Sequence, residues 1–337
     1  MQSRKKLYKI SILFLSFFIT FSINTFNLVE ANAQAKLTSL TFYQNGDSIH
    51  EGQAPTVAIT ESNQVIVLSQ ENNQIYYAFG VIDESRNSIS WKSKHARLGE
   101  GENPSITLTN DGYVVATYSK SGELYARTAS IHATYLNWSR SERNYGSGEN
   151  PSVAFTGANN YELMFLYEKD NGYLGQAFAQ YRGNGSIYYV SNPIWPQLKG
   201  SSPDLTMTSD GLALFSGSRN FRGPTRQYAF GQVDGDSISV TQISDEDSHF
   251  FKPQSSIVIK DNGLFIEFFQ NRNNMDYLEY KIGQLSGSSI QWLNTGGNNL
   301  MKKGVQPDVA INNQYVIQVH KYFSSDNIRY NLYQLNQ

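Results

Sequence analysis

One pentapeptide, GENPS, occurs at Gly101–Ser105 and again at Gly148–Ser152, 47 residues on. Each copy sets a carboxylate beside an amide, Glu102 with Asn103 and Glu149 with Asn150. Such groups take directional hydrogen bonds from and to hydroxyls. A tyrosine follows each pair, Tyr118 and Tyr167, near the end of a β-patterned segment. An aromatic ring beside polar groups suits the C–H face of a sugar. The chemistry these residues could do is therefore saccharide binding. They have a second reading as scaffold, in which the tyrosines pack between elements and the polar groups bond their own loop.

The elements that must position them come from a repeat. The segments that answer to GENPS are GQAPT from Gly52, GSSPD from Gly200 and GVQPD from Gly304, with SSIVI from Ser255 as a copy lacking proline. The marker positions Pro55, Pro104, Pro151, Pro203, Ser255 and Pro307 are 49, 47, 52, 52 and 52 residues apart. A fixed period of this size signals a repeat architecture. Each unit reads as strand, polar turn, strand, as in ITLTNDGYVVATYS, followed by a second hairpin such as IYYAFGVIDESRNSISW. Four short strands, a to d, at about 50 residues per unit match a β-propeller blade. The last unit runs out after strand c, and LTSLTFYQ (Leu37–Gln44) before the first unit can supply its strand d. The sequence thus predicts an all-β, six-bladed propeller of four-stranded blades, its ring closed by the N-terminal strand joining the last blade. G-x-x-P is then the link from outer strand d of one blade to inner strand a of the next, with proline at a strand start.

Antiparallel blades put the a–b and c–d turns on one face and the b–c and d–a loops on the other. The first set is short and uniform (TNDG, TSDG, KDNG), and the second is long and varied. Variable loops on a rigid scaffold carry function, so the binding face is expected on the b–c and d–a side. Its candidates are Glu102, Asn103, Tyr118, Glu149, Asn150 and Tyr167, joined by Trp195, Arg222, Arg272 and His320 from the longer loops. Trp91, Trp138 and Trp292 recur at one strand-d position, as packing between blades or as stacking platforms.

Residues 1–35 differ from the rest. Arg4, Lys5, Lys6 and Lys9 precede an apolar run, Ile10–Ile23, and small residues at Ala31, Ala33 and Ala35. This order predicts a secretory signal peptide over 1–35, leaving 36–337 as the propeller, released as an extracellular protein. The apolar run is shorter than the roughly 20 residues a membrane span needs. The chain has no cysteine, hence no disulfide or thiolate site. Without the leader, 27 − 4 = 23 basic residues face 29 − 1 = 28 acidic ones. A net charge of that sign argues against a nucleic-acid partner and against docking on anionic lipid. The partner expected is a glycan or an extracellular protein, with no nucleic acid, no membrane insertion and a monomeric chain.

Enzyme signatures are sparse. His50, His95, His132, His249 and His320 have no metal-site spacing, and no G-x-S-x-G elbow occurs. DEDSH (Asp245–His249) offers oxygen ligands or is a solvated loop. No catalytic or metal residue is assigned, and no cofactor is expected beyond a structural calcium ion.

The G-x-x-P-S-V/I-A repeat with its T-N-D-G turn resembles secreted bacterial six-bladed propellers of sialidase-like or lectin-like type, over nearly all of 37–337. The sialidase side of the resemblance implies an arginine cluster for a substrate carboxylate, a tyrosine nucleophile with a glutamate partner, and an acid. Arg219, Arg222, Arg226 and Arg272, with Glu267 or Glu279, would carry those parts. The chain departs from that pattern. SGSSIQW (Ser286–Trp292) keeps the tryptophan of an Asp-box without its aspartate, and FRGP (Phe221–Pro224) stands in the fourth repeat. The function expected first is a lectin-like carbohydrate-binding propeller; the alternatives are a sialidase-like glycoside hydrolase and a protein-binding scaffold.

Overall fold

The structure is a computed structural model that describes residues 40–46, 48–157, 162–191, 200–219, 225–234, 237–246, 255–270, 277–286, 289–294 and 303–335. Leu37–Asn336 form one compact unit. Residues 1–35, expected to be a signal peptide, lie outside the described residues, as do Trp195, Arg222 and Arg272. Among the described residues no helix is long and apolar enough to cross a membrane.

Strand β1 (Leu40–Asn45) precedes the first blade, which holds β2 (Gln53–Ile59), β3 (Gln64–Glu71), β4 (Gln74–Asp83) and β5 (Ser88–Glu100). The second blade has β6 (Glu102–Leu108), β7 (Tyr113–Lys120) and β8 (Glu123–Ile131), with its outer strand split into β9 (Leu136–Trp138) and β10 (Arg143–Ser147). The third has β11 (Glu149–Thr156), β12 (Glu162–Glu168), β13 (Leu174–Tyr181) and β14 (Ile187–Ser191). The fourth has β15 (Ser201–Met207), β16 (Leu212–Arg219), β17 (Thr225–Asp234) and β18 (Ser237–Glu246). The fifth has β19 (Ser255–Ile259), β20 (Leu264–Gln270), β21 (Leu278–Ser286) and β22 (Ser289–Asn294). The sixth has β23 (Val305–Ile311), β24 (Tyr315–Lys321) and β25 (Ile328–Leu335), and β1 completes it by pairing antiparallel with β25. These are the six blades and the closure that the repeat predicts.

Strand b of each blade is sandwiched by neighbours on both faces. It therefore reads as a continuous apolar run and not as an alternation. VIVL in β3 (Val65–Leu68) is fully buried, and so are Val316 and Ile317 in β24. The tryptophans of strand d pack against strand c of the preceding blade. Trp91 meets Tyr330 edge-on at 5.7 Å, Trp138 tilts on Tyr77 at 5.8 Å, and Trp292 meets Tyr228 at 6.1 Å. Repetition at one position here means one packing job between blades. Each such pair adds about 0.5–1.5 kcal/mol beyond the area it buries.

Candidate functional site

Inner strands line the axis of the ring. They enter it through a kink that the sequence did not foretell. In five blades the first residues of strand a carry a one-residue register shift, between Gln53 and Thr56, Glu102 and Ser105, Glu149 and Ser152, Ser201 and Asp204, and Val305 and Asp308. The residue before the proline is left-handed in every one of them: Ala54 (φ 45°), Asn103 (50°), Asn150 (48°), Ser202 (48°) and Gln306 (53°). A pre-proline residue would ordinarily be extended. Asparagine tolerates the left-handed region best among non-glycine residues, which accounts for the N of GENPS.

The bulges ring one mouth of the central channel, a cavity of about 180 Å³ on the d–a face. Neighbouring blades brace them. Asn103 N–H donates to Gln70 Oε1 at 3.0 Å and Ala54 N–H to Gln306 Oε1 at 3.0 Å. Glu168 Oε2 accepts from Asn150 Nδ2 at 2.8 Å and from Ser202 N–H at 3.3 Å. Glu102 and Asn103 are half-buried, Asn150 likewise, and Glu149 is exposed. The asparagines of the two GENPS copies thus line one opening, on the face the loops suggest, while Glu102 and Glu149 are not among its lining residues.

Their aromatic companions point elsewhere. Tyr118 is fully buried and Tyr167 nearly so. A Cβ added at Gly101 would lie 2.6 Å from the Tyr118 ring, and one at Gly148 2.6 Å from the Tyr167 ring. The glycine of each motif is therefore seated on the tyrosine of its own strand b. His320 holds the same place in the sixth blade beneath Gly304 and is 2 % exposed. Burial drives the Tyr118 hydroxyl upward, so it stays protonated. Burial, aided by the Arg329 charge, pushes His320 down to about 4, so it is neutral. These three support the mouth from beneath.

Below the mouth the channel narrows to a neck that sequence reasoning missed. The residue after each marker position forms it: Thr56, Ser105, Ser152, Asp204, Ser256 and Asp308. Five of the six inner strands hand a backbone N–H to the neck residue of the blade before them. Val57 donates to Asp308 Oδ2 (2.7 Å), Val153 to Ser105 Oγ (3.2 Å) and Leu205 to Ser152 Oγ (3.0 Å). Ile257 donates to Asp204 Oδ2 (2.5 Å) and Val309 to Ser256 Oγ (3.3 Å). Ser256 Oγ also donates to Asp308 Oδ1 at 2.6 Å. The signal was present as a column of small oxygen-bearing side chains after the proline, T, S, S, D, S and D. Burial and the nearby Asp204 carboxylate raise Asp308 to about 7, against the opposing pull of its hydrogen bonds. Past the neck the channel opens to about 870 Å³ toward the a–b turns. Among the described residues no group of three or more histidine or acidic side chains gathers as a metal site.

One tyrosine–glutamate pair does exist. Tyr228 Oη donates to Glu267 Oε2 at 2.6 Å, with Lys281 over the Trp292 ring at 4.8 Å close by. Tyr228 is 1 % and Glu267 2 % exposed, inside the joint between the fourth and fifth blades.

No protein-family model matches the chain, and no curated protein matches it. Solved structures do. A variant of the NanB sialidase from Streptococcus pneumoniae superposes with a TM-score of 0.60 at 10 % identity, covering 88 % of this chain and 70 % of that one. A protein of unknown function from Dyadobacter fermentans gives 0.55 at 9 % identity, over 88 % and 98 % of the two chains. A neuraminidase-like protein of A/flat-faced bat/Peru gives 0.52 at 9 %, over 89 % and 93 %. At such identities the likeness is one of fold: the chain has the six-bladed architecture of sialidase-like propellers.

Proposed function

We propose that this chain is an extracellular carbohydrate-binding propeller that holds a saccharide at the d–a mouth of its channel. The observation that carries the reading is the ring of left-handed bulges, which sets Asn103, Asn150, Ser202 and Gln306 around one opening, with Glu102 and Glu149 one residue earlier in the chain. The lining of the mouth holds amides, hydroxyls, backbone groups and the carboxyl groups of Asp204 and Asp308, and Glu168 is bonded to Asn150 beside it. Among the described residues no basic side chain lines it. That balance favours the hydroxyls of a neutral sugar over a carboxylated one, since like charges in a partly desolvated site repel. Binding is favoured over turnover for a second reason. A tyrosine nucleophile must be reached by substrate, and Tyr228 with its Glu267 partner is closed inside a blade joint.

The test is a glycan-array screen of the purified protein with calcium present, repeated for Asn150→Gly. Glycine keeps the left-handed backbone and removes only the amide. Saturable binding to a neutral sugar family that weakens about tenfold in the variant is the expected result, the size of one or two lost hydrogen bonds. A blank array would overturn the reading and favour a protein partner.

A further inference from the structure

We propose a second binding site, for a saccharide bearing an anionic group, in the outer cleft between the second and third blades. It shares a ligand class with the mouth but no residue, and it opens on the other face, beside the c–d turn of the third blade.

The cleft exists because the outer strand of the second blade breaks. Arg127, on β8, donates from Nε to Ser139 O at 2.5 Å and from Nη1 to Leu98 O at 2.6 Å. That guanidinium pins the chain where β9 ends, and residues 139–142 bow out before β10 resumes pairing with Ala126. A space of about 390 Å³ is left beside the third blade. Its far wall, the turn at Asn184–Ser186, is fixed. Thr128 Oγ1 donates to Gly185 O at 2.9 Å, and Asp111 accepts from Asn184 N–H at 3.2 Å and from Tyr181 Oη at 2.9 Å. The cleft is thus preformed, which spares a ligand the cost of ordering it.

Strand alternation decides what faces inward. Ala126 packs with the third blade and Ala129 with the first. Thr128 and Ser130 therefore face the cleft, and so do Arg143 and Asn137, which pair with Ala126 and Ser130. Among the described residues one arginine, Arg143, faces the space and no acidic residue lines it, in a chain with 29 acidic residues against 27 basic ones. Arg127 is committed to carbonyls. Arg143 is exposed and has no side-chain hydrogen bond or ion pair among the described residues. Tyr188, 47 % exposed, stands at the rim, with the Arg182 guanidinium 4.4 Å from its ring centre. Hydroxyls and amides around a space of this volume, one unpaired guanidinium and an exposed ring match a sugar ring with a carboxylate or sulfate substituent.

The test is an array of uronate-bearing, sulfated and neutral oligosaccharides, probed with the protein and with Arg143→Gln, Tyr188→Ala and Asn150→Gly. Both cleft positions are exposed, and an unchanged thermal midpoint confirms folding. Anionic glycans should bind, lose about tenfold or more with Arg143→Gln, and weaken as salt rises from about 20 to about 300 mM. They should weaken with Tyr188→Ala and stay unaffected by Asn150→Gly. Preference between the uronate and sulfate arms identifies the anion. Absence of anionic binding overturns the proposal, as does binding indifferent to Arg143→Gln. Loss that instead follows Asn150→Gly overturns it too and credits the mouth. Inorganic sulfate that competes as well as the best oligosaccharide reduces the site to an anion hole and overturns the saccharide assignment.

Discussion

Asp308 and His320 stand in one blade and titrate in opposite senses. Asp308 is raised from 3.8 to about 7, so over that window the folded chain holds a proton that the unfolded chain has lost. Its contribution to stability is complete below about 3.8 and is lost as pH climbs to about 7. His320 is lowered from 6.5 to about 4, and its contribution is lost as pH falls across that interval. The two windows overlap, so each masks the other in a simple pH scan. Asp308→Asn isolates the first, because its amide oxygen can accept from Val57 N–H while its Nδ2 donates to Ser256 Oγ, reversing the bond in which Ser256 donates to Asp308. Its thermal midpoint should exceed that of the native chain near pH 8, with the gap closing toward about pH 4. A gap that stays constant over this range would mean an ordinarily ionised carboxylate. At this scale the sequence was a partial guide. Glu102 and Asn103 were legible as a repeated pair at a mouth. Tyr118 and Tyr167 were legible as belonging to the same place, with packing between blades as their second reading; His320 was legible there but not as buried. Their direction depends on a glycine seventeen or nineteen residues earlier in the two tyrosine cases, Gly101 to Tyr118 and Gly148 to Tyr167, lying against the ring.

The bulge is the element that most shapes the molecule. It turns the chain from an outer edge into the axis and spends left-handed backbone to do so. Asn103 and Asn150 occupy that conformation cheaply. Ala54 occupies it at φ 45° with no side-chain compensation, at a cost on the order of 1 kcal/mol. Ala54→Asn, which writes the GENPS solution into the first blade, should raise stability by about 0.5–1 kcal/mol in chemical denaturation. A loss of stability would show that asparagine's side chain clashes at that position and that the asparagines serve another purpose. The proline column announced a link between blades here. The bulge itself stayed hidden because the rule for residues before proline points the other way. The split of β9 from β10 stayed hidden for a different reason. Nothing local in LNWSRSERNYGS stops a strand; the break is imposed by Arg127, from the neighbouring strand.

For the ring as a whole, closure rests on β1 against β25, with Leu40 opposite Leu335 and Asn45 opposite Asn331. The fold class, the blade count and this seam could all be read from the spacing of the marker residues, because a repeat states its architecture several times over. Removing residues 40–45 should lower the thermal midpoint and leave β25 as a bare edge that recruits other chains, seen as oligomers in gel filtration. A shortened chain that stays monomeric with an unchanged midpoint would show that the seam contributes nothing. The same seam has a bearing on time. The two strands it joins lie 295 positions apart, from Leu40 to Leu335, so the first strand to be made waits for the last. Pairings this distant form slowly. Until the sixth blade is complete the ring stands open, and a chain that loses either strand is left with an exposed edge on which proteases can act.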